Sequence, residues 1–98
     1  MKSLGLVEVS GVTAGIDCLD IMCKSANVEF VTWERKLGGR LVTIVVQGDI
    51  SAVTAAVENA VAGAISKPVA YAVIASPHEE TQRMINLSAA RIQKKAGN

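Results

Sequence analysis

The sequence is poor in aromatic residues, proline, cysteine and histidine. Phe, Trp and Tyr together make up 3% of the 98 residues, and the chain has two prolines, two cysteines and one histidine. The two cysteines, Cys18 and Cys23, lie five residues apart on a predicted helix, and two sulfurs do not complete a zinc site. We therefore expect no metal site, and we interpret both thiols as buried groups of a protein in a reducing compartment.

An excess of one charge and a long apolar run are also missing. Ten basic and nine acidic residues give a formal net charge of +1, and no run of basic residues is longer than the pair Lys94-Lys95. The sequence therefore lacks a cluster of basic residues that could bind the phosphate backbone of a nucleic acid. No apolar stretch reaches the roughly 18 residues of a membrane span, and residues 1–8 lack the apolar core of a signal peptide. The sequence predicts a cytoplasmic protein with neither nucleic acid nor membrane as partner.

Small aliphatic residues dominate what is present. Half of the chain is hydrophobic, and most of that half is Ala, Val and Ile. A chain of this length removes about 60–70% of its unfolded surface from water, which is enough for one modest core. Small domains with an excess of apolar residues often bury them between subunits, so this composition favours an oligomer.

Seven elements are predicted, in the order β-α-β-β-α-β-α. They are a strand at 4–9, a helix from 12 to 27, strands at 28–37 and 41–46, a helix at 50–65, a strand at 69–75 and a helix at 77–93. This order predicts a single domain with a four-stranded, mostly antiparallel sheet and packed helices, a ferredoxin-like α+β sandwich. We assign it to residues 1–98, with a core of about 3–85 and a C-terminal helix and tail at 78–98.

Turn and cap residues support these boundaries. Gly38-Gly39 between two strand-like runs predicts a tight hairpin, because both turn positions can adopt positive φ without steric cost. Ser10 and Asp49 are expected to cap the first and second helices. Ser76 is expected to cap the third helix, with Pro77 as its first residue. The fourth strand is apolar on both faces, so we expect it to be largely covered.

Few residues are of the kind that carry catalysis. His78 follows Pro77 where the sequence supplies no nucleophile, acid or metal for it to serve, so we interpret it as a surface or interface residue. Asp17 and Asp20 are interpreted as part of a solvated helix face. Gly38-Gly39 is too short to hold a phosphate, and no nucleotide-binding loop or nucleophile elbow occurs. The residues alone predict a small oligomeric α+β domain, and we expect it to need no cofactor.

Five segments together carry a family resemblance. They are Leu4-Gly5-Leu6-Val7-Glu8, Lys24-Ser25-Ala26-Asn27-Val28, Arg35-Lys36-Leu37-Gly38-Gly39-Arg40-Leu41-Val42-Thr43, Val46-Gln47-Gly48-Asp49-Ile50-Ser51-Ala52-Val53 and Ser76-Pro77-His78. In this order and spacing, the sequence resembles the single-domain, hexamer-forming shell proteins of bacterial microcompartments, which include carboxysomes and the propanediol- and ethanolamine-utilising metabolosomes. The resemblance covers residues 3–85.

The resemblance implies a structural role and specific partners. It implies a non-enzymatic shell subunit that forms homohexamers, which tile into sheets and leave a central pore for small polar or anionic metabolites. Other shell proteins and the enclosed enzymes of the compartment are the further partners it implies, and the shell is the implied location.

The resemblance also implies roles for two groups of residues. Leu37, Gly38, Gly39 and Arg40 match the loop that surrounds the central pore of the hexamer. Lys24 matches a lysine along the hexamer edge, where neighbouring hexamers meet, and Asn27 belongs to the same edge region.

The third edge segment, Ser76-Pro77-His78, departs from the family pattern. The family usually carries an arginine before the proline, and this arginine helps to lock hexamer edges together. Since Ser76 occupies that position, we expect sheets that are weaker or differently curved than is usual.

Two other classes remain open at this point. A small-molecule-binding regulatory domain of ferredoxin-like fold would need a polar anchor set between subunits. An enzyme subunit would need an acid–base pair. Neither set of residues stands out in the sequence.

Overall fold

A computed structural model describes residues 2–96 of the chain; residues 1, 97 and 98 of the predicted domain lie outside this described part. Within it, seven elements follow in the predicted order. They are β1 (Ser3–Ser10), α1 (Val12–Ser25), β2 (Glu29–Lys36), β3 (Leu41–Gly48), α2 (Ile50–Gly63), β4 (Ala70–Ile74) and α3 (Glu79–Ala96). The predicted α+β sandwich is confirmed.

The four strands form one sheet in the order β2-β3-β1-β4. All three neighbouring pairs are antiparallel. In the central pair, Ser3 lies opposite Gly48 and Ser10 lies opposite Leu41. The two edge strands, β2 and β4, are therefore far apart in space and belong to the two halves of the chain.

The helices cover the two faces of the sheet unequally. We call the face under α1 and α2 the inner face and the face under α3 the outer face. Alternate strand residues point to the inner face, as the pleat of a strand requires. They form one core with buried residues of both helices: Val7, Val9, Val42, Ile44 and Val46 with Cys18, Met22, Ala56, Val57 and Ala60. The outer core is much smaller and centres on Leu4, Val45 and Ile85.

Small residues let the inner helices approach the sheet closely. A Cβ atom on Gly15 of α1 would lie 2.8 Å from Cγ1 of Val42, and one on Gly5 of β1 would lie 2.8 Å from Cγ1 of Val53. Such distances are shorter than carbon–carbon contact permits. The glycines therefore set the spacing between the helices and the sheet.

Several boundary residues behave differently from the prediction. Gly11, with φ 96°, is the N-cap of α1, and no side chain makes a cap hydrogen bond there, so the prediction for Ser10 was wrong. Asp49 occupies the N-cap position of α2, but its carboxylate makes no cap hydrogen bond. The third helix begins at Glu79, and both Ser76 and Pro77 precede it.

The expected burial of the fourth strand is also wrong for the single chain. The side chains of Val69, Tyr71 and Val73 are 57%, 59% and 37% exposed. The physical reason is topological, because β4 is an edge strand that pairs only with β1. Cys23 is likewise exposed, whereas Cys18 is buried as expected.

Candidate pore loop and assembly edge

The segment predicted to surround a pore is a tight loop at one end of the sheet. Leu37–Gly39 forms a single 3₁₀ turn between β2 and β3. Its three residues have φ values of 55°, 67° and 93°, and two of them are the glycines that tolerate such values. The predicted glycine hairpin is therefore confirmed, with the additional finding that Leu37 also adopts a left-handed conformation.

Backbone hydrogen bonds fix this loop to the neighbouring turn. The N–H of Arg40 donates to the carbonyl of Leu37 at 3.3 Å, and the N–H of Gly11 donates to the carbonyl of Arg40 at 3.0 Å. A Cβ on Gly39 would lie 3.1 Å from Cγ2 of Val12. The loop is thus held against the start of α1 and presents its outer side to solvent.

The side chains of the loop are free to meet another chain or a solute. Leu37 is 69% exposed. Arg40 is exposed, and its guanidinium makes no ion pair with any residue between 2 and 94. Glu34 on the preceding strand, which could have paired with it, instead accepts hydrogen bonds from Ser88 and, at 3.4 Å, from Arg91 of α3.

Asn27 and Ser76, which the family resemblance assigns to a hexamer edge, both lie at the opposite end of the sheet. A Cβ on Gly48 would lie 3.1 Å from the carbonyl oxygen of Asn27. Gly48 pairs with Ser3, whose hydroxyl donates to the carbonyl of Ala75 at 2.7 Å. Asn27 and Ser76 therefore lie at the same end of the sheet but beside its two opposite edge strands, since Asn27 precedes β2 and Ser76 follows β4.

The distance between the two sites follows from the strand that joins them. The Leu37–Arg40 loop precedes Leu41, and Asn27 adjoins Gly48; Leu41 and Gly48 are the first and last residues of the eight-residue β3. At about 3.3 Å per residue the strand spans about 23 Å. We call the two ends of the sheet the loop end and the edge end.

Lys24 lies in the last turn of α1, with its side chain 75% exposed. Its ammonium is 2.9 Å from Oδ2 of Asp20, one turn earlier on the helix. The hydrogen bond and the charge of Asp20 raise the pKa of Lys24. The lysine is therefore a charged surface residue held along its own helix in the single chain.

The Ser76-Pro77-His78 segment contains a helix cap that sequence reasoning missed. The N–H of Glu80 donates to Nδ1 of His78 at 3.0 Å, and the N–H of Gln82 donates to the carbonyl of His78 at 3.0 Å. His78 is thus the N-cap of α3. The side-chain amide of Gln82 donates to the carbonyl of the buried Pro77 at 2.9 Å, which fixes the turn before the helix.

Two further features of the outer face were not visible in the sequence. The hydroxyls of Thr32 and Ser88 lie 2.7 Å apart, and with Glu34 and Arg91 they attach α3 to β2. On the other side of the outer face is an open groove of about 230 Å³. Its lining residues are Leu6, Glu8, Thr43, Ala70, Tyr71 and Ala72. Both features combine residues that are far apart in the sequence and come together only in the folded chain.

Between residues 2 and 96, no group of three or more His, Cys, Asp and Glu side chains could hold a metal ion. In the same range, no helix combines the length and the apolar character that crossing a membrane requires.

These features together define a small α+β domain, with a glycine loop at one end of its sheet and the Asn27 and Ser76 segments at the other. The chain belongs to the BMC-domain family, whose model matches residues 3–77. This confirms the family resemblance and the expected fold.

Curated relatives are shell proteins of bacterial microcompartments, which are structural proteins and not enzymes. The chain is 42% identical over 86 residues to shell protein PduA of Citrobacter freundii, covering 86% of this chain and 91% of PduA. It is 36% identical over 90 residues to EutM of Salmonella typhimurium, covering 90% of this chain and 93% of EutM. The chain is therefore similar to shell proteins over nearly their whole length.

A solved structure supports the same conclusion. A microcompartment protein from Desulfitobacterium hafniense superposes with a TM-score of 0.76 at 25% identity. The match covers 90% of this chain but 48% of the other, so the chain spans about half the length of that protein.

Proposed function

We propose that this shell protein forms a closed ring of six copies, with the Leu37–Arg40 loops around a central pore and the Lys24, Asn27 and Ser76–His78 surfaces at the rim. The observation that carries the proposal is the placement of these two groups at opposite ends of one sheet. In a ring that tiles into a sheet, one end of each subunit faces the central axis and the opposite end contacts neighbouring rings.

The exposed edge strand supports ring closure. Tyr71 and Val73 on β4, and Val69 just before it, leave apolar surface open to solvent in the single chain. A head-to-tail contact that covers this edge with the next copy removes apolar surface from water and repeats through a rotation until the ring closes. Six copies is the number that the resemblance to hexamer-forming shell proteins implies.

The loop composition supports passage of small polar or anionic solutes. Gly38 and Gly39 lack side chains, so backbone N–H and C=O groups line much of the loop and offer hydrogen bonds to a solute. Arg40 adds a guanidinium that stays charged near neutral pH. Six guanidinium groups near one mouth produce a positive field, which salt screens with a Debye length of about 8 Å at physiological ionic strength.

Electron microscopy of the purified protein tests this proposal. Negative-stain images at micromolar concentration should contain six-fold rings with a central stain-filled depression, and tiled arrays at higher concentration. Equilibrium dialysis against amino acids and nucleotides provides the comparison with a regulatory domain, which would bind one of them. Monomers without rings, together with tight binding of such a ligand, would contradict the proposal.

A further inference from the structure

The groove on the outer face lies where α3 leaves the sheet uncovered. α3 packs along β2, whereas the groove lies over β1 and β4. The β4 partners of Leu6 and Glu8 are Ala72 and Ala70, and both face the same side of the sheet as these two residues. Because alanine side chains are short, they leave a depression beside the carboxylate of Glu8.

The Glu8 carboxylate lacks a strong partner in the single chain. It accepts a hydrogen bond from the hydroxyl of Thr43 at 3.4 Å, which is long for this type of bond. No basic group between residues 2 and 94 pairs with it. Glu8 is half-buried beside the apolar side chain of Leu6. A carboxylate in such surroundings is stabilised by a cation that also brings apolar surface.

Lys36 lies on the opposite edge strand, at nearly the same height along the sheet as Glu8. It is the last residue of β2 and pairs with Leu41, which in turn pairs with Ser10, two residues from Glu8. Glu34 contacts α3 on the outer face, and Lys36 lies two residues further along the same strand. Since side chains alternate along a strand, Lys36 also belongs to the outer face.

Most other cations of the described chain are engaged elsewhere. Lys2, Lys24, Arg83 and Arg91 hold ion pairs within the chain. Arg35 lies over the ring of Trp33, 5.3 Å from its centroid. Lys67 precedes β4 and so lies on the side of the groove itself. Lys36 is exposed, and its ammonium has no ion-pair partner between residues 2 and 94.

We infer that the groove binds Lys36 of a neighbouring copy, with the lysine stem along Ala70, Ala72 and Leu6 and its ammonium on the carboxylate of Glu8. The inference rests on the proposed ring. A rotation about one axis keeps the same face up and the same end inward in every copy. A head-to-tail contact therefore brings the β2 edge of one copy to the β4 edge of the next, on matching faces and at the loop end.

Charge-reversal variants and their mixture provide the test. In Glu8→Lys the groove and Lys36 carry like charges at every interface, and in Lys36→Glu both positions are acidic. Each variant alone should need a protein concentration at least about tenfold higher than wild type for half-assembly of rings. Far-UV circular dichroism melts of each variant report whether the subunit itself still folds.

Mixing the two variants should restore assembly. In an alternating ring, every groove then meets the opposite charge. The lysine introduced by Glu8→Lys faces the glutamate introduced by Lys36→Glu at one interface, and the unchanged Glu8 and Lys36 face each other at the next. Native mass spectrometry, with one variant labelled with ¹⁵N, should therefore show particles with three copies of each. The neutral pair Glu8→Gln and Lys36→Gln should weaken assembly in the same direction with less effect on folding.

A matched control changes charge at a distance from the groove. Arg83→Glu makes the same change in charge as Lys36→Glu, near the edge end, and should leave ring assembly within about twofold of wild type. If wild type forms rings but the Lys36 variants assemble equally well, or the mixture gives no three-to-three particles, the inference is wrong and the proposed ring stands. If wild type forms no ring at all, both fail.

Discussion

Cys18 and Cys23 lie five residues apart on α1 but in different surroundings. Cys18 is fully buried in the inner core, and its thiol lies 3.7 Å from the sulfur of Met22. Burial, with a smaller contribution from the charge of Asp17, raises the pKa of Cys18 to about 11. Cys23 is exposed, which corrects the expectation of two buried thiols. The five-residue spacing predicted that the two cysteines point to different sides of the helix. It did not predict which of these sides faces the core.

The raised pKa of Cys18 predicts a loss of stability at alkaline pH. Below about pH 9 both the folded and the unfolded chain keep the thiol proton, and the stabilisation is fully present. As the pH rises from about 9 to about 11, the unfolded chain binds fewer protons than the folded one, so about 2–3 kcal/mol is lost. Urea unfolding of wild type and Cys18→Ala at the same protein concentration should show this extra loss only in wild type.

Cys23→Ser is the matched control for the alkaline experiment, because it keeps Cys18 in the core. It should retain most of the wild-type decline between pH 9 and pH 11. Equal declines for wild type and Cys18→Ala would contradict the proposed role of the buried thiol.

His78 shows why some roles at the scale of one residue escape sequence reasoning. Ser, Thr, Asp and Asn are the usual N-caps, so Ser76 was the expected cap of α3. The structure begins the helix two residues later, and the imidazole of His78 accepts the N–H of Glu80. Pro77 was expected to be the first residue of the helix. In the structure it is buried in the turn that precedes the helix.

At the scale of elements, the spacing between α1 and the sheet depends on Gly15. A methyl group there would lie 2.8 Å from Cγ1 of the buried Val42. Gly15→Ala should therefore destabilise the protein by about 1–3 kcal/mol through overpacking, although alanine favours the helix by about 1 kcal/mol. Chemical denaturation measures the net change.

Gly63 provides the control for this packing prediction. It is also helical, at the end of α2, but its added Cβ would meet only Cδ1 of Ile21 at 3.8 Å, an ordinary contact. Gly63→Ala should be neutral or slightly stabilising. If Gly15→Ala were as stable as Gly63→Ala, the close packing of α1 on the sheet would not require a glycine at position 15.

The elements themselves were largely predictable because their signals are local. The apolar spacing of α1, the β-branched run of β3 and the pair Gly38-Gly39 each act within a few residues. The exposure of β4 was not predictable, since an apolar strand has the same sequence pattern whether its own chain or a second copy covers it. The Glu8 groove also escaped, because only the sheet register places Ala70 beside Glu8.

The end of α1 carries a prediction about the contact between neighbouring rings. Lys24 is exposed and paired only with Asp20, so Lys24→Asp should cost the fold little. If the proposed edge is correct, this variant forms normal rings but no ordered sheets or tubes in electron micrographs. Normal sheets from Lys24→Asp would remove this lysine from the edge.

Ser76 offers the opposite change at the same edge. It is exposed and adjoins the carbonyl of Ala75 that Ser3 holds in place. Ser76→Arg introduces the arginine that the family resemblance implies before the proline, so sheets should form at a lower protein concentration than with wild type. Light scattering against concentration measures this, and unchanged assembly would argue against a role of this position in the lateral contact.

At the scale of the whole molecule, the proposed pore predicts a preference for anions. Arg40→Ala removes the exposed charge and should lower the anion-to-cation permeability ratio of hexamers in a planar bilayer, most clearly at low salt. Glu34 is engaged by Ser88 and Arg91, so the guanidinium is not held on the strand. An Arg40→Ala variant with unchanged selectivity would exclude Arg40 from the mechanism.

A loop variant separates the selectivity of the pore from its width. Gly39 has φ 93°, and a Cβ there would press on Val12 at 3.1 Å, so Gly39→Leu places bulk in a strained loop. Conductance should fall or vanish while rings still form. Unchanged conductance in intact rings would mean that this loop does not surround the pore.

Native mass spectrometry of the wild-type protein at micromolar concentration tests the central claim most directly. A closed ring of six copies predicts one dominant particle with six times the 10.2 kDa mass of the chain. Gentle activation in the gas phase should release single chains and leave five-copy particles, as for a ring with one repeated interface. A stable monomer as the main species would contradict the ring, and with it the pore and the edge.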